Sequence, residues 1–359
     1  MLKRIEEEAV YFGAGPSRIP APVLAQLAEE VISFENCGVS ICELSHRSTS
    51  FDRIINSANI RAKSLLGLDA DWHVLYMGGG GTLQFAATFI NILERSPNSD
   101  IAILITGTWS QKAFEEAQRI YPNRAKAYDF RDKFNQIPYF SPPEEVIYYC
   151  SNETVEGIEL PDLSFDGKIV ICDMSSNLMT RPVDSSKYSI MFAGAQKNLG
   201  VAGVTLVLVR ERFCSTPIQS VPSMLDYYIF AKYNSLYNTP PTFAIRALDL
   251  TLEWIQDKFN SLEDVNAYSM LKSEALYQVL GHLALRKLYR SRVNVVWSFG
   301  SLDMDKKFEE FASEKQLTGL AGHRSIGGLR ASLFNSISLE NVHALINAIT
   351  SFKLEQKIL

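Results

Sequence analysis

The sequence predicts an α/β fold in which helices cover both faces of a largely parallel sheet. Between residues 73 and 209 the chain contains apolar runs of strand length, and helical stretches separate several of them. Runs that are apolar at nearly every position are typical of strands buried on both faces. The six runs are "HVLYM", "IAILI", "VIYYC", "IVIC", "SIMFAGA" and "VTLVLV". Their alternation with helices is the pattern of an α/β domain.

Helical periodicity precedes these strands. The stretch "PAPVLAQLAEEVISF" places Val23, Leu24 and Leu27 at helical spacing behind prolines suited to a first turn. The stretch "FDRIINSANIRAKSLLGL" predicts a second helix, with Ser50 as its N-cap and Gly67 near its end. The first of these helices is amphipathic.

The last third of the chain predicts a smaller α+β unit. Two long helices, in "AIRALDLTLEWIQDKF" and "VNAYSMLKSEALYQVLGHLAL", are followed by strand-like "VNVVWSFG", helical "MDKKFEEFASEKQ", strand-like "LRASLFN" and a closing helix. A length of 359 residues also favours two domains, since one domain takes roughly 150 residues. We therefore predict a large domain over residues 16–255 and a small domain formed by residues 1–15 and 256–359.

Composition narrows the class of protein. With 47% apolar and 21% charged residues the chain is an ordinary globular protein, and a net charge of -5 without a basic stripe argues against nucleic acid as a partner. The five cysteines form no CxxC pair, which argues against a disulfide framework or a metal site. The apolar runs are too short to span a membrane. These features predict a cytoplasmic protein with no membrane partner.

The residues that follow the predicted strands suggest a ligand site, because open α/β sheets bind ligands beyond the carboxyl ends of their strands. The first run leads into the glycine run 78–81 and Thr82, and later runs lead to Trp109, Thr154, Asp173, Gln196 and Lys197. The glycine run lacks both GxxxxGK[ST] and GxGxxG, so alone it is also consistent with a structural turn. Asp173 or Lys197, taken singly, is equally consistent with a solvated loop residue.

Pyridoxal phosphate is the cofactor that needs all of these groups at once. Its phosphate suits glycines at a helix N-terminus, its aldehyde condenses with a lysine, and its pyridine nitrogen pairs with an aspartate. Trp109 could stack on the ring and Thr154 could donate to the phenolic oxygen. An apolar approach to Lys197 favours the neutral amine that attacks an aldehyde.

Seven stretches along nearly the whole chain resemble the phosphoserine aminotransferase family of fold type I pyridoxal phosphate enzymes: "FGAGPSRIP", "ELSHRS", "GTLQFAA", "SNETVEGI", "AGAQKN", "YNTPPTF" and "GHRSIGGLRAS". The resemblance implies a mixed, mostly parallel seven-stranded sheet and a smaller C-terminal domain. It implies that Lys197 forms the internal aldimine, that Asp173 pairs with the pyridinium and that Trp109 stacks on the ring. It further implies that Gly81 and Thr82 hold the cofactor phosphate, and that Thr154 and Gln196 also contact the cofactor.

The resemblance also implies a homodimer with its active sites at the subunit interface, in which Asn238 and Thr239 reach the phosphate of the neighbouring subunit's cofactor. Arg330 would bind the substrate α-carboxylate, and His46, Arg47 and His323 the distal phosphate or carboxylate. The implied reaction transfers the amino group of L-glutamate to 3-phosphohydroxypyruvate. Its products are O-phospho-L-serine and 2-oxoglutarate, and it belongs to L-serine biosynthesis.

Two alternatives remain open on sequence alone. Another fold type I enzyme, such as a serine:pyruvate-type aminotransferase or a cysteine desulfurase-like protein, would share the cofactor but not the cationic set around His46, Arg47 and His323. A non-catalytic α/β protein could use the glycine run to bind a nucleotide or a partner. One departure from the family concerns Gly200, which is followed by Val201 where the family usually has proline. We expect this change to affect local stiffness more than activity.

Overall fold

The structure is a computed structural model that describes residues 9–358, so residues 1–8 of the predicted small domain and Leu359 lie outside the described residues. The helices are α1 (Ala21–Ile32), α2 (Thr49–Leu66), α3 (Gly80–Leu93), α4 (Thr108–Ile120), α5 (Tyr227–Lys232), α6 (Thr242–Lys258), α7 (Leu262–Leu280), α8 (Leu302–Glu314) and α9 (Leu339–Glu355). The strands are β1 (Val10–Tyr11), β2 (Trp72–Met77), β3 (Ile101–Ile105), β4 (Ala125–Asp129), β5 (Val146–Cys150), β6 (Asn152–Glu153), β7 (Ile158–Glu159), β8 (Ile169–Asp173), β9 (Ile190–Gly194), β10 (Thr205–Arg210), β11 (Asn294–Trp297), β12 (Leu317–Thr318), β13 (Ala321–His323) and β14 (Gly327–Ser332).

A seven-stranded sheet with the order β2-β10-β9-β8-β5-β3-β4 forms the centre of the fold. Only β10 runs antiparallel to its neighbours β2 and β9, so the sheet is mixed and mostly parallel, as predicted. The six apolar runs supply six of its strands. The seventh, β4, pairs with β3 at the edge and has only Ala125 buried. An edge strand with exposed polar side chains lacks the apolar pattern on which the sequence prediction depended.

The predicted N-cap of helix α2, Ser50, is wrong. Its N-cap is Ser48, whose hydroxyl accepts a hydrogen bond from the backbone N–H of Phe51 at 3.2 Å, whereas Ser50 lies inside the first turn. Ser48 has extended backbone angles, as an N-cap requires, and this leaves Ser50 free to accept from Arg53 instead. The predicted end at Gly67 is confirmed by its left-handed backbone, with φ of 60°.

Apolar layers cover both faces of the large sheet. One layer includes buried residues of α2 and α6, and the opposite layer includes residues of α3, α4 and α5. A separate apolar cluster joins α7, α8 and α9 to the three-stranded sheet β11-β14-β13 and to Phe12 near the start of the described chain. The division of the chain at residue 255 stays a prediction. None of the helices within residues 9–358 has the length and apolar character that crossing a membrane requires.

Gly200 closes the turn that follows "AGAQKN", and we expect Gly200→Ala to destabilise the protein. Its φ is 139°, and a Cβ there would lie 3.3 Å from the backbone of Ala247 and Leu248 in α6. Strain and overpacking together should cost about 2–4 kcal/mol of unfolding free energy. Denaturant unfolding measures it, with Gly167→Ala as the control because Gly167 also has positive φ but faces open space. Equal losses in the two variants would contradict this account.

Val201, which stands where the family usually has proline, packs its side chain beside the cluster of Val23, Leu27 and Leu250 between α1 and α6. The valine therefore contributes apolar contacts at this position. The expected effect on local stiffness stays a prediction.

Candidate active site

A cavity lies at the carboxyl edge of the large sheet, where β2, β3, β5, β8 and β9 end. It contains about 330 Å³ of empty space, part of it open to solvent. Six residues singled out in the sequence line it: Gly81, Thr82, Trp109, Asp173, Gln196 and Lys197. Phe85 and Ser175, which the sequence did not single out, line it as well. The fold thus brings together residues that are as much as 116 positions apart in the chain, from 81 to 197.

Lys197 follows β9 by three residues and extends into this cavity. Its Nζ donates a hydrogen bond to Thr154 Oγ1 at 2.9 Å and lies 5.3 Å from the centroid of the Trp109 ring. Burial lowers the pKa of Lys197, and the negative charge of Asp173 acts in the opposite direction. Partial desolvation thus favours the neutral amine, which is the nucleophilic form.

Asp173 is the last residue of β8 and is 4% exposed. Its Oδ1 accepts a hydrogen bond from the backbone N–H of Ser175 at 2.8 Å. Burial raises the pKa of Asp173, while Lys197 and the hydrogen bonds from Ser175 lower it. A carboxylate in this position needs a cationic or N–H partner to offset its desolvation. A protonated ring nitrogen is such a partner.

Trp109 stands in the first turn of α4, and a buried carboxylate holds this helix end. Glu153 Oε2 accepts from the backbone N–H of Trp109 at 2.8 Å, and Oε1 accepts from that of Ser110 at 2.9 Å. The Trp109 Nε1 atom is buried without a hydrogen-bond partner. Sequence reasoning missed Glu153, although an acidic residue between β5 and Thr154 was a visible signal. Carboxylates are favoured at helix N-termini, where backbone N–H groups lack partners.

We expect the setting of Trp109 to depend on pH through Glu153. Burial, with a further contribution from the charge of Glu156, raises the pKa of Glu153 to about 7. Above that pH the carboxylate accepts from both N–H groups, and below it one oxygen carries a proton and accepts less well. The fluorescence of Trp109, taken as the difference between the wild type and Trp109→Phe, should therefore titrate near pH 7. Glu153→Gln should abolish that titration, and a titration unchanged in this variant would exclude Glu153 as its origin.

The glycine run forms the N-terminus of α3. Gly79 caps the helix with φ of 82°, Gly80 has φ of 65°, and both conformations favour glycine. A Cβ on Gly81 would lie 3.2 Å from Ser175 Oγ, so glycine keeps this side of the cavity open. Backbone N–H groups of a first helical turn have no partner inside the helix and are suited to a phosphate. With Asp173, Trp109 and Lys197 beside it, this donor set fits pyridoxal phosphate.

Two basic side chains come from the small sheet. Arg330 in β14 donates from Nη1 to the carbonyl oxygen of Thr154 at 3.2 Å, which places it next to the partner of Lys197. Burial lowers the pKa of Arg330, and Glu156 raises it. His323 ends β13, and its Nδ1 lies 2.7 Å from Ser325 Oγ. Burial, followed by the charge of Arg330, lowers the pKa of His323.

Four predicted site residues do not reach the cavity of their own chain. Within residues 9–358, no hydrogen bond or ion pair joins the side chains of His46, Arg47, Asn238 or Thr239 to it. Arg47, Asn238 and Thr239 are exposed, and His46 has a buried Nε2 without a partner. Their two loops are neighbours, since Thr242 at the start of α6 donates to the carbonyl oxygen of Ile41 at 3.2 Å.

Comparison with known proteins gives concordant results. Residues 9–345 match the aminotransferase class-V family model. A probable phosphoserine aminotransferase from Dictyostelium discoideum is 36% identical over 99% of this chain and 100% of its own length. A phosphoserine aminotransferase from Desulfatibacillum aliphaticivorans is 39% identical over 95% of this chain and 97% of its own.

Solved structures agree with these relatives. A phosphoserine aminotransferase from Bacillus circulans subsp. alkalophilus superposes with a TM-score of 0.92 at 32% identity, covering 98% of this chain and all of its own. The pyridoxal phosphate-bound phosphoserine aminotransferase of Trichomonas vaginalis gives 0.86 at 32% identity, covering 96% of this chain and all of its own. An alanine–glyoxylate aminotransferase from Nostoc sp., at 19% identity and a TM-score of 0.76, shares the fold.

Proposed function

The chain belongs to the class-V aminotransferase family, and we propose its reaction and the roles of its residues. Two phosphoserine aminotransferases, 36% and 39% identical to it, are similar over nearly its full length. The chain is a pyridoxal phosphate-dependent aminotransferase. The reaction we propose transfers the amino group of L-glutamate to 3-phosphohydroxypyruvate and yields O-phospho-L-serine and 2-oxoglutarate, as a step of L-serine biosynthesis. The observation that carries the proposal is the placement of the Lys197 amine between Thr154, Trp109 and Asp173.

Bound pyridoxal phosphate would supply an aldehyde that accepts the amino group and a ring that takes up electrons. Lys197 would hold the aldehyde in the resting enzyme and, once displaced, would carry the proton at its Nζ from the substrate α-carbon. Asp173 would keep the ring nitrogen protonated. The Trp109 face would orient the ring, and Thr154 and Gln196 would contact it. Gly81 and Thr82 would hold the phosphate through the N–H groups of α3.

Substrate recognition follows from charge. Arg330 offers a planar fork of donors that suits an α-carboxylate, and its hydrogen bond to the Thr154 carbonyl fixes it beside Lys197. His323 lies close enough to Arg330 for that charge, together with burial, to lower its pKa, so the imidazole is a neutral hydrogen-bond donor beside the guanidinium. The two side chains would bind the distal phosphate of the keto acid or the side-chain carboxylate of glutamate. A small neutral side chain would not need them.

A keto-acid panel tests the substrate. Purified protein loaded with pyridoxal phosphate is given glutamate and either 3-phosphohydroxypyruvate, unphosphorylated hydroxypyruvate or pyruvate. We expect kcat/KM for the phosphorylated keto acid to exceed the others by about 10²–10⁴-fold, the worth of one or two charge-assisted contacts. A preference for an unphosphorylated keto acid would favour the serine:pyruvate-type alternative.

We also propose a homodimer in which His46 and Arg47 of one subunit complete the substrate pocket of the other, and Asn238 and Thr239 bind the phosphate of the other subunit's cofactor. Support comes from the exposure of Arg47, Asn238 and Thr239 on two neighbouring loops away from their own cavity. Tyr237, next to Asn238 in the same loop, is an exposed aromatic side chain that a partner subunit would cover.

Mixing two inactive variants tests the shared site. If Arg47 serves the partner's cavity, a hybrid of a Lys197→Ala subunit and an Arg47→Ala subunit has one intact site of two. Random reassociation makes half of the dimers hybrid, so activity should return to about one quarter of the wild type. Each variant alone supplies the baseline. No recovery after unfolding and refolding the mixture together would show that Arg47 acts in its own chain or elsewhere.

We propose the cytoplasm as the location of the protein. All five cysteines are free thiols, and Cys37 and Cys42 are exposed. Exposed unpaired thiols are typical of reducing compartments.

A further inference from the structure

Lys272 in α7 is a fully buried lysine that the proposed reaction does not use. Its Nζ donates to the carbonyl oxygens of Leu333, Phe334 and Ile337 at 2.8, 2.9 and 3.0 Å. An ammonium group has three donors, so each of them is satisfied here. Among residues 9–358 no carboxylate forms an ion pair with it, and only the Tyr268 ring, 5.2 Å away, adds a cation–π contact. Burial, followed by the charge of Lys258, lowers the pKa of Lys272 to about 7.

The three carbonyl groups belong to one short segment, residues 333–337, which we call the 333–337 turn. It follows β14 directly, and β14 carries Arg330 three residues before the turn. Only the charged form of Lys272 has enough donors for all three carbonyl groups. Burying a charge without a carboxylate partner is costly. The three carbonyl oxygens offset this cost, so the charged lysine and the conformation of the turn stabilise each other.

One side of the turn is hydrogen-bonded to Asn198, the residue after Lys197. The backbone N–H of Asn335 donates to Asn198 Oδ1 at 3.0 Å, and Asn198 Nδ2 donates to the carbonyl oxygen of Leu178 at 2.8 Å. Asn335 Nδ2 donates in turn to the carbonyl oxygen of Met179 at 2.7 Å. These bonds are buried, so water does not compete with them. The position of Asn198 is thereby tied to the position of the turn.

The other side of the turn is hydrogen-bonded to residues 17–18, which in turn contact the Lys197 backbone. Ser336 Oγ donates to the carbonyl oxygen of Arg18 at 2.7 Å. The preceding residue, Ser17, donates its backbone N–H to the carbonyl oxygen of Gln196 at 2.9 Å and its hydroxyl to that of Lys197. The turn therefore reaches the Lys197 backbone from two directions, through Asn198 and through Ser17.

We propose that Lys272 is a positioning residue that, by holding the 333–337 turn, sets Lys197 relative to Arg330. The turn is bonded to the Lys197 segment on both sides and is covalently continuous with the strand of Arg330, so its shape fixes the separation of the two. Misplacement of a reacting group by about 1 Å can cost about 10²-fold in rate. This inference rests on the proposed roles of Lys197 and Arg330. The hydrogen bonds of the 333–337 turn do not depend on those roles.

Lys272→Met tests the proposal, because methionine has a similar length and no donors. The matched control is Lys353→Met in α9, whose Nζ donates to a single carbonyl oxygen, that of Val279, at 3.4 Å. In cofactor-free protein, hydrogen exchange of peptides covering residues 195–200 should rise about tenfold in Lys272→Met and stay unchanged in the control. In the loaded enzyme, kcat should fall and KM for glutamate should rise, each about tenfold, because both Lys197 and Arg330 shift.

Ser336→Ala keeps the proposal testable if Lys272→Met does not fold. It removes one hydroxyl of a half-buried residue and leaves Lys272 in place, and exchange over residues 15–20 and 195–200 should rise about threefold. Unchanged exchange over residues 195–200 in folded variants overturns the proposal. Raised exchange with unchanged kcat and KM overturns it as well, and it places the failure in the proposed roles of Lys197 and Arg330 rather than in the contacts.

Discussion

Lys197→Ala is expected to lower amino transfer by about 10⁴–10⁶-fold, the loss typical of removing a covalent catalyst that also moves the proton. The alanine variant has no amine at the cavity and no base at the substrate α-carbon. The fold should persist, because within residues 9–358 the Lys197 side chain makes one hydrogen bond, to Thr154 Oγ1, and lies in a cavity rather than in a packed core. Steady-state kinetics, visible absorbance after adding pyridoxal phosphate, and thermal unfolding together measure the effect.

Lys112→Ala is the matched control for Lys197→Ala. Its Nζ lies 4.8 Å from the same Trp109 ring, so it shares the neighbourhood but does not line the cavity. The control should keep turnover within about tenfold of the wild type, the range of a nearby charge that does not react. Turnover in Lys197→Ala close to that of Lys112→Ala would remove Lys197 from the role we propose.

Asp173→Asn is expected to give the second largest loss, about 10²–10⁴-fold in kcat, the usual contribution of a group that holds a proton in place. The asparagine keeps the shape and can still accept from the Ser175 N–H, but it has no charge to keep a ring nitrogen protonated. It also removes the negative charge that raises the pKa of Lys197, so that pKa should fall further below its ordinary value.

Two measurements separate these effects of Asp173→Asn. The pH dependence of the reaction of Lys197 with pyridoxal phosphate, followed by visible absorbance, should move to lower pH. The kcat should stay low at every pH, because the lost ring charge is not restored by deprotonating Lys197. Glu159→Gln is a matched control, since Glu159 is also a buried acidic residue but pairs with Arg292 instead. A kcat for Asp173→Asn equal to that of Glu159→Gln would contradict the role of Asp173.

The apolar pattern predicts the buried strands of the large sheet but not its polar edge strand. Strands buried on both faces, such as β3 and β5, have the bounds that their apolar runs predict, because every side chain must be apolar there. Strand β4 escaped the prediction because an edge strand needs no such pattern. The N-cap of α2 is Ser48 rather than Ser50, since two serines in one short stretch have equal intrinsic preference and the chain direction before the helix decides between them.

Some residues of the candidate site could be predicted from sequence and others could not. Gly81, Trp109, Asp173 and Lys197 were accessible from sequence because Asp173 ends a strand and the other three follow one, and parallel strands end at one edge of the sheet. Glu153 and Ser175 were not singled out, since their contacts with the α4 N–H groups and with Asp173 depend on how loops fold back onto that edge. The roles proposed for His46, Arg47, Asn238 and Thr239 come from the family resemblance. The subunit-mixing experiment tests the role of Arg47 in a partner subunit's site.

The amino-acid sequence alone predicts the α/β class, six of the seven strands of the large sheet, the cofactor chemistry and the family resemblance. These follow from local pattern and residue type, which a linear chain carries directly. Three contacts depend instead on how distant segments pack: Arg330 donates to the Thr154 carbonyl, Glu153 accepts from the first turn of α4, and Lys272 donates to the 333–337 turn. Lys272 bonds to residues 61 to 65 positions away, and contacts at such separations leave no periodic signal because they are set by the packing of whole elements.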